Sequence, residues 1–424
     1  MIKRDLYLNQ IIRNMWNGDI KVITGIRRCG KSVLLFNLFY EYLLSHGISD
    51  DNIIRIELDQ RRYYKYRNPI VLCEYIEELI AGKEKEKFYL FIDEVQMTTK
   101  VVDKENGNIE ISIYDMLNEL KSYRNLDVYV TGSNSKGLSK DVATEFRGRA
   151  IQIHVYPLSF EEFYSYVGGD ERKALDSYML YGGMPRVLTL STDKDKKDYL
   201  RSLYSELYIK DIVERNKIER PEILNDILDF LASQISSLTN PTNIANALTS
   251  IKKEKINASM VSNYVQHIMD SYLLNMARRY DVKGKTYFNY PNKYYYIDIG
   301  LRNARLNYRQ YDPGHIMENI IYNELLRRGY SVDVGVVVDR TGGKNLQKEI
   351  DFVVNDADKK IYIQSAFQMD TEQKESSELA SLTLTKDFFK KIVVRMDISH
   401  NFFDTNGIYH CNLLDFLLGR VDLF

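Results

Sequence analysis

Short apolar runs alternate with longer stretches of helical periodicity over the first 165 residues. The runs are rich in β-branched and aromatic residues, and the stretches between them repeat apolar positions every three or four residues. This alternation is typical of a parallel sheet covered by helices, so the predicted fold class is α/β. Five runs are candidate strands: 19–24, 52–58, 88–92, 127–131 and 150–155.

The rest of the chain changes its pattern three times. Residues 166–215 have helical periodicity that is interrupted at 182–185 by Gly-Gly-Met-Pro, which does not continue a helix, and we expect a helical lid or linker there. Residues 216–311 combine three short helical segments with a strand-like aromatic segment, which predicts a winged helix. Residues 312–424 open with an amphipathic helix ended by Gly329 and continue with strands, which predicts a separate small α/β domain.

Composition changes this picture little, but it excludes several classes of protein. Lys and Arg total 58 and Asp and Glu total 59, so any basic surface must be local. Hydrophobic residues at 44% and charged residues at 28% are typical of a globular protein and not of a disordered one. Cys29, Cys73 and Cys411 lack a CxxC spacing, which argues against a disulfide framework or a zinc site. Without an apolar run of about 18 residues or a signal-like start, we expect a cytoplasmic protein and no membrane contact.

The segment between the first strand and the next helix has the spacing of a phosphate-binding loop. Residues 25–32 match G-x-x-x-x-G-K-[ST], in which glycines let backbone N–H groups surround phosphate oxygens at a helix N-terminus. Lys31 is predicted to reach the β- and γ-phosphates, and Ser32 to ligate Mg²⁺. The predicted cofactors are therefore ATP and Mg²⁺. The predicted nucleotide-binding residues of the loop are Gly25, Ile26, Arg27, Arg28, Cys29, Gly30, Lys31 and Ser32.

Two carboxylates follow the third candidate strand. Asp93 is predicted to hold Mg²⁺ through water, as expected of a second nucleotide motif. Glu94 is predicted to orient and polarise the attacking water, because hydrolysis of the γ-phosphate depends mainly on positioning and charge stabilisation. The strand candidate 52–58 lies between the two motifs in the chain, which favours the additional-strand class of P-loop ATPases.

Other polar positions are candidates for sensing or stabilising the γ-phosphate. Ser133 and Asn134 follow the fourth strand, and the sequence does not choose between them as sensor or exclude a plain turn. Arg149, favoured over Arg147, is predicted to enter the nucleotide site of a neighbouring subunit, with a surface salt bridge as the alternative. Arg186, just after the break at 182–185, is predicted to contact phosphate from the lid side.

Six segments together resemble one group of proteins: the bacterial and archaeal AAA-type ATPases that carry a winged helix and a C-terminal restriction-endonuclease-like domain of unknown function. The resemblance covers nearly the whole chain. It implies an ATPase core at 1–165, a lid at 166–215, a winged helix at 216–311 and the endonuclease-like domain at 312–424. It also implies Mg-ATP hydrolysis and a homo-oligomer that forms a ring or partial ring. The segments are 25–32, 91–96, 131–135, 157–163, 182–185 and 349–353.

Local charge makes DNA the predicted partner of residues 216–311. Between residues 271 and 310, eight lysines and arginines stand against two aspartates, a local net charge of +6. A basic hairpin of this kind would lie on phosphates while the preceding helix enters a groove. The alternative is a module for packing or oligomerisation whose tyrosines form its core. The polar positions of that helix are Ser259, Ser262, Asn263, Gln266 and His267.

Residues 312–424 depart from the pattern of an active endonuclease. Glu318 on the helix and Asp351 on a strand match the expected carboxylates, and Glu349 shares a strand face with Asp351. Residues 364–366, Gln-Ser-Ala, place an amide and an alanine where a carboxylate and a lysine are expected, which removes a metal ligand and a stabilising cation. Glu349 and Asp351 are therefore interpreted as the acidic rim of a degenerate nuclease fold.

Three classes of function follow from these patterns. The first is an ATP-driven motor or switch that binds DNA, including branched or structured DNA. The second is a regulatory ATPase that acts on a protein partner. The third is an ATP-gated, metal-dependent nuclease, against which Ala366 argues.

Overall fold

Two units, each with sheet structure of its own, make up the computed structural model of this chain. The first consists of Met1–Pro157 with Asp270–Tyr272, and the second of Leu158–Met269 with Leu273–Phe424. The structure describes residues 2–103, 107–133, 149–289, 291–339, 345–356 and 359–424.

The first unit is built on a five-stranded parallel sheet, and all five candidate strands form. Its strands and a small separate hairpin are β1 (Ile20–Thr24), β2 (Ile53–Glu57), β3 (Phe88–Asp93), the hairpin strands β4 (Val101–Asp103) and β5 (Ile109–Ile111), β6 (Leu126–Gly132) and β7 (Ala150–His154). The sheet order is β2-β3-β6-β1-β7, and every neighbouring pair is parallel. The α/β prediction for this part of the chain is confirmed.

Helices cover both faces of this sheet. They are α1 (Asp5–Arg13), α2 (31–45, with a π-helical stretch at Leu34–Phe39), α3 (Pro69–Ile80) and α4 (Ile113–Leu120). On one face, the ring of Phe39 packs on Phe91 and Tyr129 with centroids 5.5 and 4.9 Å apart. On the other face, buried residues of α3 and α4, including Ile76, share a core cluster with Leu90. Because both faces are covered, β3 and β6 are buried along their whole length.

The strand that separates the two nucleotide motifs in the sheet is β6. It pairs with β1, which leads into the phosphate-binding loop, and with β3, which ends in Asp93. By chain order the expected additional strand is 52–58, but β2, which forms there, pairs only with β3 at the edge of the sheet. The additional strand is therefore present, but it is β6, which follows both motifs in the chain.

Helices also form the first part of the second unit, and they are interrupted at the Gly-Gly-Met-Pro segment. The N–H of Gly183 donates to Oδ2 of Asp298 at 2.7 Å, and its carbonyl accepts from the N–H of Leu158 at 2.8 Å. A Cβ at Gly183 would lie 2.1 Å from the carbonyl oxygen of Leu158, so only glycine allows this approach. The helical segments are α5 (Phe160–Val167), α6 (Glu171–Tyr181), the 3-10 turn Pro185–Thr189 and α7 (193–216, with a π-helical stretch at Leu203–Ile209).

Three helices and a three-stranded antiparallel sheet follow. The elements are α8 (Pro221–Ser233), β8 (Leu238–Thr239), α9 (Pro241–Lys252), α10 (Ala258–Asp270), β9 (Leu274–Ala277), β10 (Arg279–Asp281), β11 (Thr286–Tyr287), β12 (Asn292–Tyr296) and α11 (Ile299–Arg305). The sheet order is β8-β12-β9. The strands β10 and β11 do not belong to this sheet, because β10 pairs in parallel with the first long strand of the next sheet.

That next sheet has eight strands and closes the second unit. Its order is β11-β10-β13-β14-β15-β16-β18-β17. Val282, just after β10, is buried in the same core cluster as Val337 and Val353, which explains why the hairpin is held on this sheet. None of the helices among the described residues is long and apolar enough to span a membrane. The remaining elements are α12 (Pro313–Arg327), β13 (Ser331–Asp339), β14 (Leu346–Asp356), β15 (Lys359–Ala366), α13 (Glu372–Thr383), β16 (Lys390–Arg395), β17 (Phe402–Phe403), β18 (Tyr409–Asn412) and α14 (Leu413–Leu417).

Candidate nucleotide site

The predicted phosphate-binding loop joins β1 to α2 at the carboxyl edge of the parallel sheet. Gly25 and Gly30 have φ values of +143° and +104°, which favour glycine. A Cβ at Gly25 would lie 2.2 Å from the carbonyl oxygen of Val155, the residue after β7. The first glycine of the motif is therefore required both by its backbone conformation and by close packing.

The loop is also held by a residue that the sequence argument did not single out. The guanidinium of Arg4 donates to the carbonyl oxygens of Cys29, at 3.1 Å, and Tyr156, at 2.6 Å. These contacts tie the loop to the segment that follows β7. Among the other loop positions, Ile26 and Cys29 are buried, Arg27 is half-buried, and Arg28 is exposed with a φ of +62°.

Lys31 lies inside the loop. Its side chain is buried, and Nζ donates to the carbonyl oxygens of Gly25 and Ile26 at 3.1 and 3.0 Å. An ammonium group in this position is surrounded by the backbone that would surround a phosphate group. A bound polyphosphate would therefore compete with these two carbonyl oxygens for the same hydrogen-bond donor.

Asp93, at the end of β3, gathers the oxygen atoms that suit Mg²⁺. Its Oδ2 accepts from Oγ of Ser32 at 2.8 Å, and its Oδ1 accepts from the hydroxyl of Thr131. Burial raises the pKa of Asp93, and these two hydroxyl groups oppose that effect. Carboxylates of Glu57 and Asp59, at and just beyond the end of β2, lie within 4.8 Å of Asp93. All of these groups offer oxygen, the ligand type of Mg²⁺, so the residues fit the ion.

Glu94 is held in a fixed position beside this group. Its φ of +53° lies in the left-handed region, which is uncommon for glutamate and is often found at functional sites. Its N–H donates to Oγ1 of Thr131 at 3.0 Å, so one threonine contacts both acidic residues. Its Oε2 accepts from Oγ of Ser133 at 3.2 Å and from the side-chain amide of Gln96.

Of the two sensor candidates, the structure describes Ser133 and not Asn134. Ser133 contacts both Glu94 and Gln96, whereas Asn134 lies outside the described residues. Gln96 was not predicted as a site residue, although it ends the segment 91–96 that carries the family resemblance. Its place in that segment and its spacing of two residues from Glu94 are the signals that could have identified it. Arg147 also lies outside the described residues.

Arg149 lies away from the phosphate-binding loop of its own unit, and Arg186 belongs to the second unit. The carbonyl of Arg149 accepts from the N–H of Ile20 at the amino end of β1. The phosphate-binding loop follows the carboxyl end of the same strand, so Arg149 lies at the opposite end of the strands from the loop. Its side chain is exposed. Arg186 belongs to the second unit, where its guanidinium lies 5.6 Å from the ring centroid of Tyr199. Their roles toward phosphate remain predictions.

Comparison with known families agrees with this geometry. A family model described as "AAA domain" matches residues 17–164. The first unit is thus a P-loop ATPase domain of the AAA type. Two models, "Domain of unknown function (DUF8612)" and "Domain of unknown function (DUF4143)", match residues 172–312 and 313–412.

Relatives resemble the chain over nearly its full length. A Haemophilus influenzae protein described as "Uncharacterized protein" is 34% identical over 399 residues, which cover 93% of this chain and 93% of the relative. "Uncharacterized protein MJ1544" of Methanocaldococcus jannaschii is 26% identical over 403 residues, which cover 91% of this chain and 82% of that protein. The chain belongs to the same protein family as the first of these relatives.

Two solved structures show partial similarity to this chain. Cdc6p from Pyrobaculum aerophilum is 13% identical, with a TM-score of 0.31, and the match covers 65% of this chain and 89% of that chain. AMPPCP-bound DnaA from Aquifex aeolicus is 15% identical, with a TM-score of 0.30, and the match covers 62% of this chain and 85% of that chain.

Proposed function

We propose that this protein hydrolyses ATP with Mg²⁺ and uses the nucleotide cycle as a motor or switch that acts on DNA. The observation that carries the ATPase proposal is the hydrogen-bonded set formed by Ser32, Asp93, Thr131 and Glu94. It brings together, at the end of the phosphate-binding loop, a hydroxyl and a carboxylate whose oxygen atoms suit Mg²⁺ and a second, fixed carboxylate.

Each residue of this set has one task in the proposed reaction. Lys31 and the loop N–H groups bind the β- and γ-phosphates, and Ser32 and Asp93 hold Mg²⁺. When bound, Mg²⁺ neutralises charge on the phosphate oxygens. Glu94 orients and polarises the attacking water, and Ser133 keeps the Glu94 carboxylate in place for that task.

Oligomer formation is part of the proposal. Arg149 is exposed and lies at the amino ends of the strands, whereas its own nucleotide site lies at their carboxyl ends. An arginine in this position serves catalysis only by entering the site of a second copy, where it would stabilise charge on the γ-phosphate in the transition state. We therefore propose a ring or partial ring of identical subunits.

The proposed DNA contact rests mainly on α10. Ser259, Asn263 and Gln266 are exposed and lie on one face of this helix because they are spaced by four and three residues. Lys253 and Lys255, just before the helix, are exposed as well. The helices α8 to α10 with the β8-β12-β9 sheet support the winged-helix interpretation, in which such a face enters a groove of DNA.

The basic hairpin supports DNA binding less than its composition predicts. Lys293, Arg302 and Arg279 are buried, and Arg305 pairs with Asp229. The local net charge of +6 is therefore only partly available to a ligand. This reduction favours the second candidate function, an ATPase that acts on a protein partner. The basic residues of the segment that remain exposed are Arg278, Lys283, Lys285 and Arg309.

The first experiment measures ATP turnover by the wild-type protein and Lys31→Ala, with and without duplex, forked and four-way DNA at one moderate salt concentration. Turnover that requires Mg²⁺ and is lost in Lys31→Ala would support the ATPase proposal. Stimulation by one DNA structure would support a DNA-coupled ATPase. Turnover that no DNA changes would favour the protein-partner function.

A pair of charge variants locates the DNA contact. Asn263→Glu adds a negative charge to the exposed face of α10, and Ser376→Glu adds the same charge to an exposed position of α13 in the same unit. Weaker, salt-dependent DNA binding in the first variant alone would support the assignment of α10. Equal binding by both variants would contradict it.

A further inference from the structure

Three carboxylates of the second unit converge on one buried ammonium group. Nζ of Lys293 lies 2.7 Å from Oε1 of Glu318, 2.6 Å from Oε1 of Glu349 and 3.3 Å from Oδ1 of Asp351. The lysine is only 3% exposed, and Glu318 and Asp351 are each 7% exposed. The lysine comes from β12 of the three-stranded sheet, whereas the carboxylates come from α12 and from β14 of the eight-stranded sheet.

Further hydrogen bonds fix the positions of these carboxylates. The hydroxyl of Tyr295 donates to Oε1 of Glu318 at 2.8 Å, and the N–H of Ser365 donates to Oδ2 of Asp351 at 2.9 Å. The side chain of Gln364 accepts from the N–H of Asp351 at 3.3 Å and donates to Glu378 at 3.1 Å. The cluster is therefore ordered by protein groups on several sides.

The cluster contains the residues that the endonuclease-like resemblance assigns to a metal ion. Glu318 and Asp351 are the two carboxylates that match the nuclease pattern, and Gln364 stands where the third is expected. A divalent cation needs to approach such oxygens within about 2.0–2.6 Å. The ammonium of Lys293 already lies against one oxygen of each matching carboxylate, so a second cation there would meet both a filled space and charge repulsion. The residues present do not fit a resident metal ion.

We infer that Lys293 is the built-in cation of this centre and takes the place of the divalent metal. The lysine neutralises the carboxylates and joins the two sheets of the second unit, so the centre is a joint between them and does not cleave nucleic acid. Lys293 lies in the segment matched by one domain model, and its three partners lie in the segment matched by the next. This inference is independent of the proposed ATPase and DNA functions.

The test replaces the ammonium and asks whether a metal ion substitutes for it. In Lys293→Met, the buried carboxylates lose their counter-charge, so the melting temperature should fall in metal-free buffer. Mn²⁺ should raise the melting temperature of this variant in a saturable way and by more than that of the wild type, whose response reports the site at Asp93. The double variant Lys293→Met/Glu318→Gln is the matched control, because it lacks one carboxylate ligand and should respond less to Mn²⁺.

A spectroscopic measurement gives an independent readout. Tb³⁺ bound at Glu318 would lie close to the phenol of Tyr295, which can sensitise its emission. Sensitised emission should be stronger in Lys293→Met than in the wild-type protein, and Lys293→Met/Tyr295→Phe should lose the difference. Tb³⁺ or Mn²⁺ binding by the wild type that is lost in Glu349→Gln would overturn the inference, as would equal binding of these ions by the wild type and folded Lys293→Met. If Lys293→Met does not fold, the wild-type and Glu349→Gln arms decide the question.

Discussion

One added methyl group at Gly183 should separate two segments of the second unit. In Gly183→Ala, the new Cβ would lie 2.1 Å from the carbonyl oxygen of Leu158, well inside van der Waals contact. The nearest neighbours of this Cβ are backbone atoms of Leu158, so no side chain can rotate away to relieve the clash. The segments must therefore move apart.

The cost follows from the hydrogen bonds that this movement breaks. The bond from Leu158 N–H to the Gly183 carbonyl joins two neutral groups and contributes about 1 kcal/mol. The bond from Gly183 N–H to the buried carboxylate of Asp298 contributes about 2 kcal/mol, because its acceptor carries charge. We therefore expect Gly183→Ala to lower the free energy of unfolding by about 3 kcal/mol.

Equilibrium urea unfolding of the full chain, followed by far-UV circular dichroism, measures this loss. Gly314→Ala is the matched control, since a Cβ at Gly314, in the first turn of α12, meets only Oδ1 of Asp312 at 3.8 Å. The sequence has one tryptophan, Trp16, in the first unit, and its fluorescence checks that this unit unfolds as in the wild type. Equal stability of Gly183→Ala and Gly314→Ala would refute the reasoning.

Three further predictions concern single groups. Glu94→Gln should retain ATP binding and slow hydrolysis by orders of magnitude, and a wild-type turnover rate would show that another group polarises the water. Thr131→Val should lower turnover by at least about tenfold with little change in ATP affinity, because the hydroxyl that contacts both Asp93 and Glu94 is lost; unchanged turnover would contradict this. Burial raises the pKa of Asp298 from 3.8 to about 6, so the stability that its protonated form contributes is present below pH 4 and is lost as the pH rises through 6. Urea unfolding between pH 4 and 7.5 should show a loss of about 3 kcal/mol in the wild type relative to Asp298→Asn, and a difference that does not vary with pH would count against it.

The parallel sheet and the phosphate-binding loop could be predicted because local patterns encode them. A buried parallel strand needs a continuous apolar run, and the loop needs glycine at 25 and 30, where φ is positive. The order of the strands could not be predicted in the same way. Chain order places 52–58 between the two motifs, but pairing across the sheet places β6 there, and no local pattern records that pairing.

Lys293 shows the limit of sequence reasoning most clearly. Within its own segment it counts as one basic residue in a basic, aromatic stretch, which points to a surface for DNA. Its partners Glu318 and Asp351 lie 25 and 58 residues further along the chain, so only the tertiary structure brings them together. Arg4 was missed for the same reason, since Cys29 is 25 residues away. Long-range pairing of polar groups leaves no periodic signal for a sequence to show.

The course of the chain through β10 and β11 determines where this protein can be divided into parts that fold. Between β9 and β12 of one sheet, the chain contributes β10 and β11 to the neighbouring sheet, where Val282 packs in the core. The boundary between the two matched domain models, at residues 312 and 313, therefore divides the sequence without dividing the fold. A gene fragment that ended there would encode two strands without the sheet that receives them. The two matched segments should consequently fold as one unit.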